Sequence, residues 1–153
     1  ALVGRLANVP GIIAIKNPAE AREETLRHLA ELRAIVPADF LLGYSGDGNS
    51  TEALIGGGHT WYSVLGGLLP IVCLKIVRAI QQGDISEARR LDAELAPLWQ
   101  LFNQFSSLRV VYALADLLHI ARAEPPLPIL PLPPSARRLV EVTFARLPAE
   151  VTR

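Results

Sequence analysis

Residues 11–16 read GIIAIK, a continuous apolar run closed by a lysine, and Asn17-Pro18-Ala19-Glu20 follow at once as a helix start. An uninterrupted Ile-rich run suits a strand buried on both faces, as the strands of parallel sheets are. Of the fifteen Lys and Arg residues only Lys16 and Lys75 are lysines, so lysine is not the default cation of this composition. The C-terminal end of a buried parallel strand, at the turn into a helix, is where α/β folds build their active sites. A primary amine there, walled by Ile13 and Ile15, is expected to be partly neutral through desolvation, as an imine-forming nucleophile requires. The plainer alternative is that Lys16 snorkels to solvent or pairs with a nearby carboxylate.

The strand–loop–helix pattern then recurs. Asn17 is expected as N-cap, Pro18 as first helical residue and Glu20 as a capping-box acid. Leu26, Leu29, Leu32 and Val36 follow as one stripe at helical spacing, with Glu23, Glu24, Arg27 and Arg33 on other faces. Residues 40–44 read as a second strand, ending in the loop 45–48, and Asn49 with Glu52 opens a short helix that stops at Gly56-Gly57-Gly58. A third strand is expected over 60–64, and Pro70 starts a helix over 71–80. Three such units in succession imply a parallel sheet with right-handed crossovers. After Gly83 the pattern turns helical. Asp84 with Glu87 caps a long helix to about Phe102, and a second helix spans 107–122. The proline-rich stretch 125–134 follows, then a last amphipathic helix over 135–147. The PxxP spacing of that stretch suits an SH3-type ligand, whereas its interleaved Leu127, Ile129, Leu130 and Leu132 suit a strap packed on the body.

Three parallel strands cannot close on themselves, and a full eight-stranded α/β barrel needs about 250 residues. The chain has 153. Either this is a small open α/β protein or it is the C-terminal part of something larger, and a start just ahead of a buried strand favours the second. Half of the residues are apolar, but the longest candidate span, 60–74, contains Gly66, Gly67 and Pro70 and is cut off by Lys75. That is short of the roughly 20 apolar residues that cross a bilayer. No basic-then-apolar leader opens the chain. A formal net charge of zero with scattered arginines argues against a nucleic-acid partner. Cys73 is the single cysteine, which excludes an intrachain disulfide and a thiolate metal site and points to a reducing, cytoplasmic setting.

The ordered segments PGIIAIK (10–16), DFLLGYSGDG (39–48), GGGHTWYSV (56–64), GDISEARRLDAELAPL (83–98) and PLPILPL (126–132) resemble the C-terminal half of the dihydrodipicolinate synthase and N-acetylneuraminate lyase family. Each is weak alone, and the set covers most of the chain. The resemblance implies the C-terminal part of a (β/α)8 TIM barrel: residues 1–82 as the last three βα units, residues 83–153 as a C-terminal helical region. It implies a class I, Schiff-base lyase or aldolase acting on pyruvate or a related 2-keto acid and an aldehyde. No cofactor or metal is implied, and a homo-oligomer, dimer or tetramer, is. Lys16 stands at the family's imine-forming lysine. Gly46 matches a glycine whose bare backbone lets substrate approach, and Tyr62 matches a usually aliphatic position that covers the bound keto acid.

The departures shape the expectations. Trp61-Tyr62 replaces a small aliphatic pair, which implies a reshaped pocket and keeps a sugar-acid or hydroxyproline-derived keto acid open as substrate. The family's proton-shuttling tyrosine, carboxylate-binding hydroxyl loop and distal arginine belong to the N-terminal half, so a non-catalytic half-barrel or binding module is the non-enzyme alternative. Tyr44 is not promoted to the shuttle role. Residues 43–47 miss the GxSxG elbow because Asp47 stands at its last glycine. Gly56-Gly57-Gly58 lacks dinucleotide-binding spacing. His28, His59 and His119 show no metal-ligand spacing, and His59 reads as structural. Trp99, Phe102 and Phe105 read as helix packing or a subunit contact.

Overall fold

The computed structural model describes residues 2–152. Its contacts divide the chain into a unit ending at Ser63 and a unit beginning at Val64. The first holds a short helix α1 (Leu2–Leu6), then β1 (Ala14–Pro18), α2 (Arg22–Arg33), β2 (Leu41–Ser45), α3 (Asp47–Ile55) and β3 (Thr60–Tyr62). The strands pair in parallel in the order β1-β2-β3, with Lys16 opposite Gly43, Asn17 opposite Tyr44 and Ser45 opposite Tyr62. Parallel neighbours each separated by a helix give the α/β organisation expected.

Side chains alternate across a strand, so the register assigns the faces. Ile15, Leu42 and Tyr44 point to one side, where Leu42 and Tyr44 join Leu29, Leu32, Phe40 and Ala53 in a core that Ile15 and Val36 pack against. Lys16, Gly43, Ser45, Thr60 and Tyr62 share the other side. The α2 stripe meets the sheet as its spacing requires, through Leu29 and Leu32, with Thr25 buried beside them. Among the described residues β1 and β3 each have a sheet neighbour on one side only.

Two expectations about β1 are corrected. The strand is 14–18, not 11–16, and Ile13 lies outside it, 68% exposed. Asn17 and Pro18 therefore belong to the strand and cap nothing. The helix begins at Arg22, after Ala21, with no side-chain capping bond. Pro18 is the last residue of the strand, and its missing N–H removes no bond to β2. Pairing continues past it, Ala19 donating to the Ser45 carbonyl at 2.7 Å.

The second unit is helical: a 3-10 turn (Leu65–Gly67), α4 (Pro70–Gln81), α5 (Ile85–Glu94), α6 (Ala96–Phe105), α7 (Ser107–Leu117), α8 (Pro134–Ala145) and α9 (Ala149–Thr152). The turn shortens the third strand from the expected 60–64. Pro70 opens α4, which buries Val72, Cys73, Ile76 and Ala79. Asp84 caps α5 as read, accepting from the Glu87 amide at 3.0 Å. The long helix expected to Phe102 is two helices broken at Leu95, because Pro97 has no N–H and clashes with the preceding turn. Trp99 and Phe102 are both buried in α6, rings 5.6 Å apart, so this aromatic group is helix packing. The helix expected to Arg122 stops at Leu117, where His119 adopts φ 56°.

The proline-rich strap is also corrected in detail. Leu127 is 83% exposed and Leu130 is exposed, while Pro125 is buried and Ile129 and Leu132 are half-buried. The segment is held by polar contacts instead, the Arg109 guanidinium donating to the carbonyls of Leu130 (2.8 Å) and Pro131 (2.9 Å). Glu150 ties α9 down, its carboxylate accepting from Arg90 at 2.8 Å and its carbonyl from Lys75 Nζ at 3.0 Å. No described helix is long and apolar enough to cross a membrane.

Candidate active site

The open face of the sheet brings Lys16, Gly43 and Tyr62 together. Lys16 lies mid-way along β1 directly opposite Gly43, and its Nζ is 5.7 Å from the centroid of the Tyr62 ring. That is within reach of a cation–π contact. The Tyr62 ring folds back along β2 and covers Gly43, which is buried. Lys16 itself is exposed. The expected wall of Ile13 and Ile15 does not exist: Ile13 lies before the strand, and period-two alternation sends Ile15 to the helix side. Neither isoleucine therefore walls the amine, whereas the Tyr62 ring lies beside it.

Gly46 directly follows β2. It has φ 97° and is the N-cap of α3, a left-handed conformation that a side chain would strain. Its carbonyl accepts from the Asn49 amide and the Ser50 hydroxyl, both at 3.0 Å, which fixes the turn from β2 into α3. Ser45 donates its hydroxyl to the Asn17 carbonyl at 3.2 Å, tying the ends of β1 and β2.

Trp61 points the other way. Its indole N–H donates to Asp47 Oδ1 at 2.9 Å, and Asp47 is 4% exposed. Of the aromatic pair, Tyr62 alone stands beside the lysine. Tyr44 also faces the helices, edge-on to His28 with ring centroids 6.3 Å apart. Its hydroxyl is buried with no hydrogen-bond partner among the described residues, and burial pushes the phenol above its ordinary range despite the nearby Arg33 charge. A cavity of about 260 Å³ lies between β1 and α2, lined by Asn17, Pro18, Thr25 and His28, and Lys16 is not among its lining residues.

His59 closes the far end of the sheet. Its Nδ1 accepts from the Leu42 amide at 2.8 Å, and its own amide donates to the Leu42 carbonyl at 2.8 Å. A neutral ring with Nδ1 accepting carries its proton on Nε2, which lies 3.1 Å from an Arg33 nitrogen that donates to the Gly57 carbonyl. Burial, then the Arg33 charge, hold the His59 pKa below its ordinary value, the Leu42 amide bond notwithstanding. No group of three or more His, Cys, Asp or Glu among the described residues is placed to hold a metal ion.

Comparison with known proteins fixes the lineage. The profile of the Dihydrodipicolinate synthetase family matches residues 1–146. The chain belongs to this family. A 4-hydroxy-tetrahydrodipicolinate synthase from Idiomarina loihiensis is 33% identical over 141 residues, 92% of this chain and 46% of that protein. The crystal structure of dihydrodipicolinate synthase from Agrobacterium tumefaciens superposes with TM-score 0.90 at 48% identity, over 96% of this chain and 50% of that one. A Thermotoga maritima dihydrodipicolinate synthase gives TM-score 0.84 at 19% identity, which speaks to the fold alone. The chain spans about half the length of the relatives it matches. Its fold is accordingly α/β, part of a (β/α)8 barrel with helices added. In such a barrel the Lys16 side of the sheet is the interior, which explains why one face here is packed and the other bare.

Gly43 is the residue the sequence reading passed over. The signal was present: an isolated glycine inside a strand marks a close approach by another group.

Proposed function

We propose that this chain supplies the imine-forming part of a Schiff-base lyase that condenses or cleaves pyruvate-type 2-keto acids. The observation carrying the proposal is an amine on the barrel-interior face, mid-strand, beside the Tyr62 ring and next to bare backbone at Gly43, in a chain of this family. Lys16 Nζ attacks the keto carbon to give a carbinolamine, and loss of water gives the imine. The cationic nitrogen then takes up the electron pair released when a proton leaves the adjacent carbon, giving an enamine. The enamine adds to an aldehyde, or the reverse step breaks the carbon–carbon bond, and water hydrolyses the imine to restore the amine. On this reading Tyr62 covers the keto acid, and the bare backbone at Gly46 admits it at the strand end.

Residues 1–82 are taken as three βα units of the barrel and 83–153 as its helical addition, in a homo-oligomer with a cytoplasmic setting. Because Lys16 is exposed in the chain alone, the remainder of a barrel is assigned the task of excluding water from the amine. Tyr62 favours a second reading within the same chemistry, in which a sugar-acid or hydroxyproline-derived keto acid replaces pyruvate. A phenol beside the amine is its motive, because its hydroxyl offers a hydroxylated keto acid a hydrogen bond that an aliphatic side chain does not.

The test is a substrate panel on the intact protein with borohydride present. Reduction in the presence of pyruvate is expected to inactivate the enzyme and to modify Lys16. Trapping with the larger keto acids but not pyruvate selects the second reading. No adduct with any keto acid leaves the non-catalytic half-barrel as the account.

A further inference from the structure

We infer that Gly43 is a positioning residue: the absent side chain in mid-β2 sets where the Tyr62 ring lies beside the Lys16 amine, and so how a keto acid is covered. Glycine weakens a strand interior, so its presence there needs a cause. The backbone does not supply one. Gly11, Gly46, Gly57 and Gly83 have positive φ, and Gly43 does not. The cause is the ring. A Cβ built at position 43 would lie 2.4 Å from Tyr62 Cε2 and 3.2 Å from its Cδ2, and 3.2 Å from the Ile15 carbonyl oxygen. The first distance is well inside van der Waals contact, so any side chain at 43 obliges the ring to move. Tyr62 is 40% exposed among the described residues, so its neighbours in this unit do not enclose the ring.

The arrangement is a matched pair. Register sets Gly43 opposite Lys16, so the strand next to the amine offers backbone only, and the ring from the third strand fills the space that a larger residue at 43 would occupy. Displacing the ring changes the cover over the amine without touching the amine itself. Gly43 thereby acts through Tyr62 and contacts no reacting atom.

The functional half of this inference rests on the Schiff-base reading, and the packing half does not. The experiment is a double-mutant cycle of Gly43→Ala and Tyr62→Leu on the intact protein, read as KM and kcat for the keto acid and as the NMR shift of the Lys16 ε-methylene protons. The Tyr62 ring current displaces that shift in the parent. Gly43→Ala is expected to change it and to raise KM on the order of tenfold, with a smaller effect on kcat, whereas in the Tyr62→Leu background the same change does little. Should Gly43→Ala alone not fold, recovery of folding in the double variant reports the same coupling. Additive effects, or a double variant that is no better folded, overturn the pairing. A failure of borohydride trapping at Lys16 removes the catalytic reading and leaves the NMR coupling to decide the packing.

Discussion

The imidazole of His59 couples folding to pH. Its pKa is held below the ordinary 6.5 by burial and by Arg33, so the native state resists a proton that the unfolded chain accepts. Stability is therefore full above about pH 6.5 and declines as pH falls from there towards the lowered native value. The melting temperature is expected to drop between neutral and mildly acidic pH, and His59→Asn should flatten that drop, because the amide oxygen can still accept from Leu42 without titrating. An unchanged acid profile in that variant would remove His59 as the cause. The structural reading of His59 was available from its place at a strand start. The environment of Lys16 was not, because an apolar run does not reveal which of its members share a face until the strand ends are fixed. Ile15 is adjacent to Lys16 in sequence and opposite to it across the sheet.

At the scale of elements, caps and breakers decide. Asp84 accepts from the Glu87 amide and the Ser86 hydroxyl, and these bonds hold its carboxyl below the usual range. Asp84→Ala is expected to lower the melting temperature by a few degrees, while Asp84→Asn retains most of the stability because asparagine caps as well. Equal losses in both variants would show that the cap is not what Asp84 contributes. This start was legible because Asp84 and Glu87 stand at cap spacing with no rival signal nearby. The start of α2 was misread because Asn17-Pro18 carries the same signature as a helix entrance, and only pairing with β2 draws these residues into the strand. Pro97 was legible in principle as a break and was overridden by the apolar spacing on either side of it. α1 and α9, of five and four residues, carry no periodicity long enough to read.

Taken whole, the sheet has one packed and one bare face, and β1 and β3 each lack a second neighbour among the described residues. Bare apolar groups such as Leu41 on that face, and unpaired strand edges, favour association. The 153-residue chain by itself is therefore expected to sediment as self-associated material and to be inactive towards pyruvate. A monodisperse, active monomer would contradict the account of the bare face as a barrel interior. The parallel α/β order was legible from three repeats of one pattern. The family was legible from five short segments in order, none sufficient alone. Lys16 is exposed among the described residues, so on the proposed reading further strands supply the dry surrounding that makes its amine a nucleophile. The most direct test is intact-protein mass spectrometry and peptide mapping after borohydride reduction with pyruvate. The account predicts one reduced pyruvate unit per chain, on Lys16 and abolished in Lys16→Arg. An adduct on Lys75, or none on either lysine with any 2-keto acid, contradicts it.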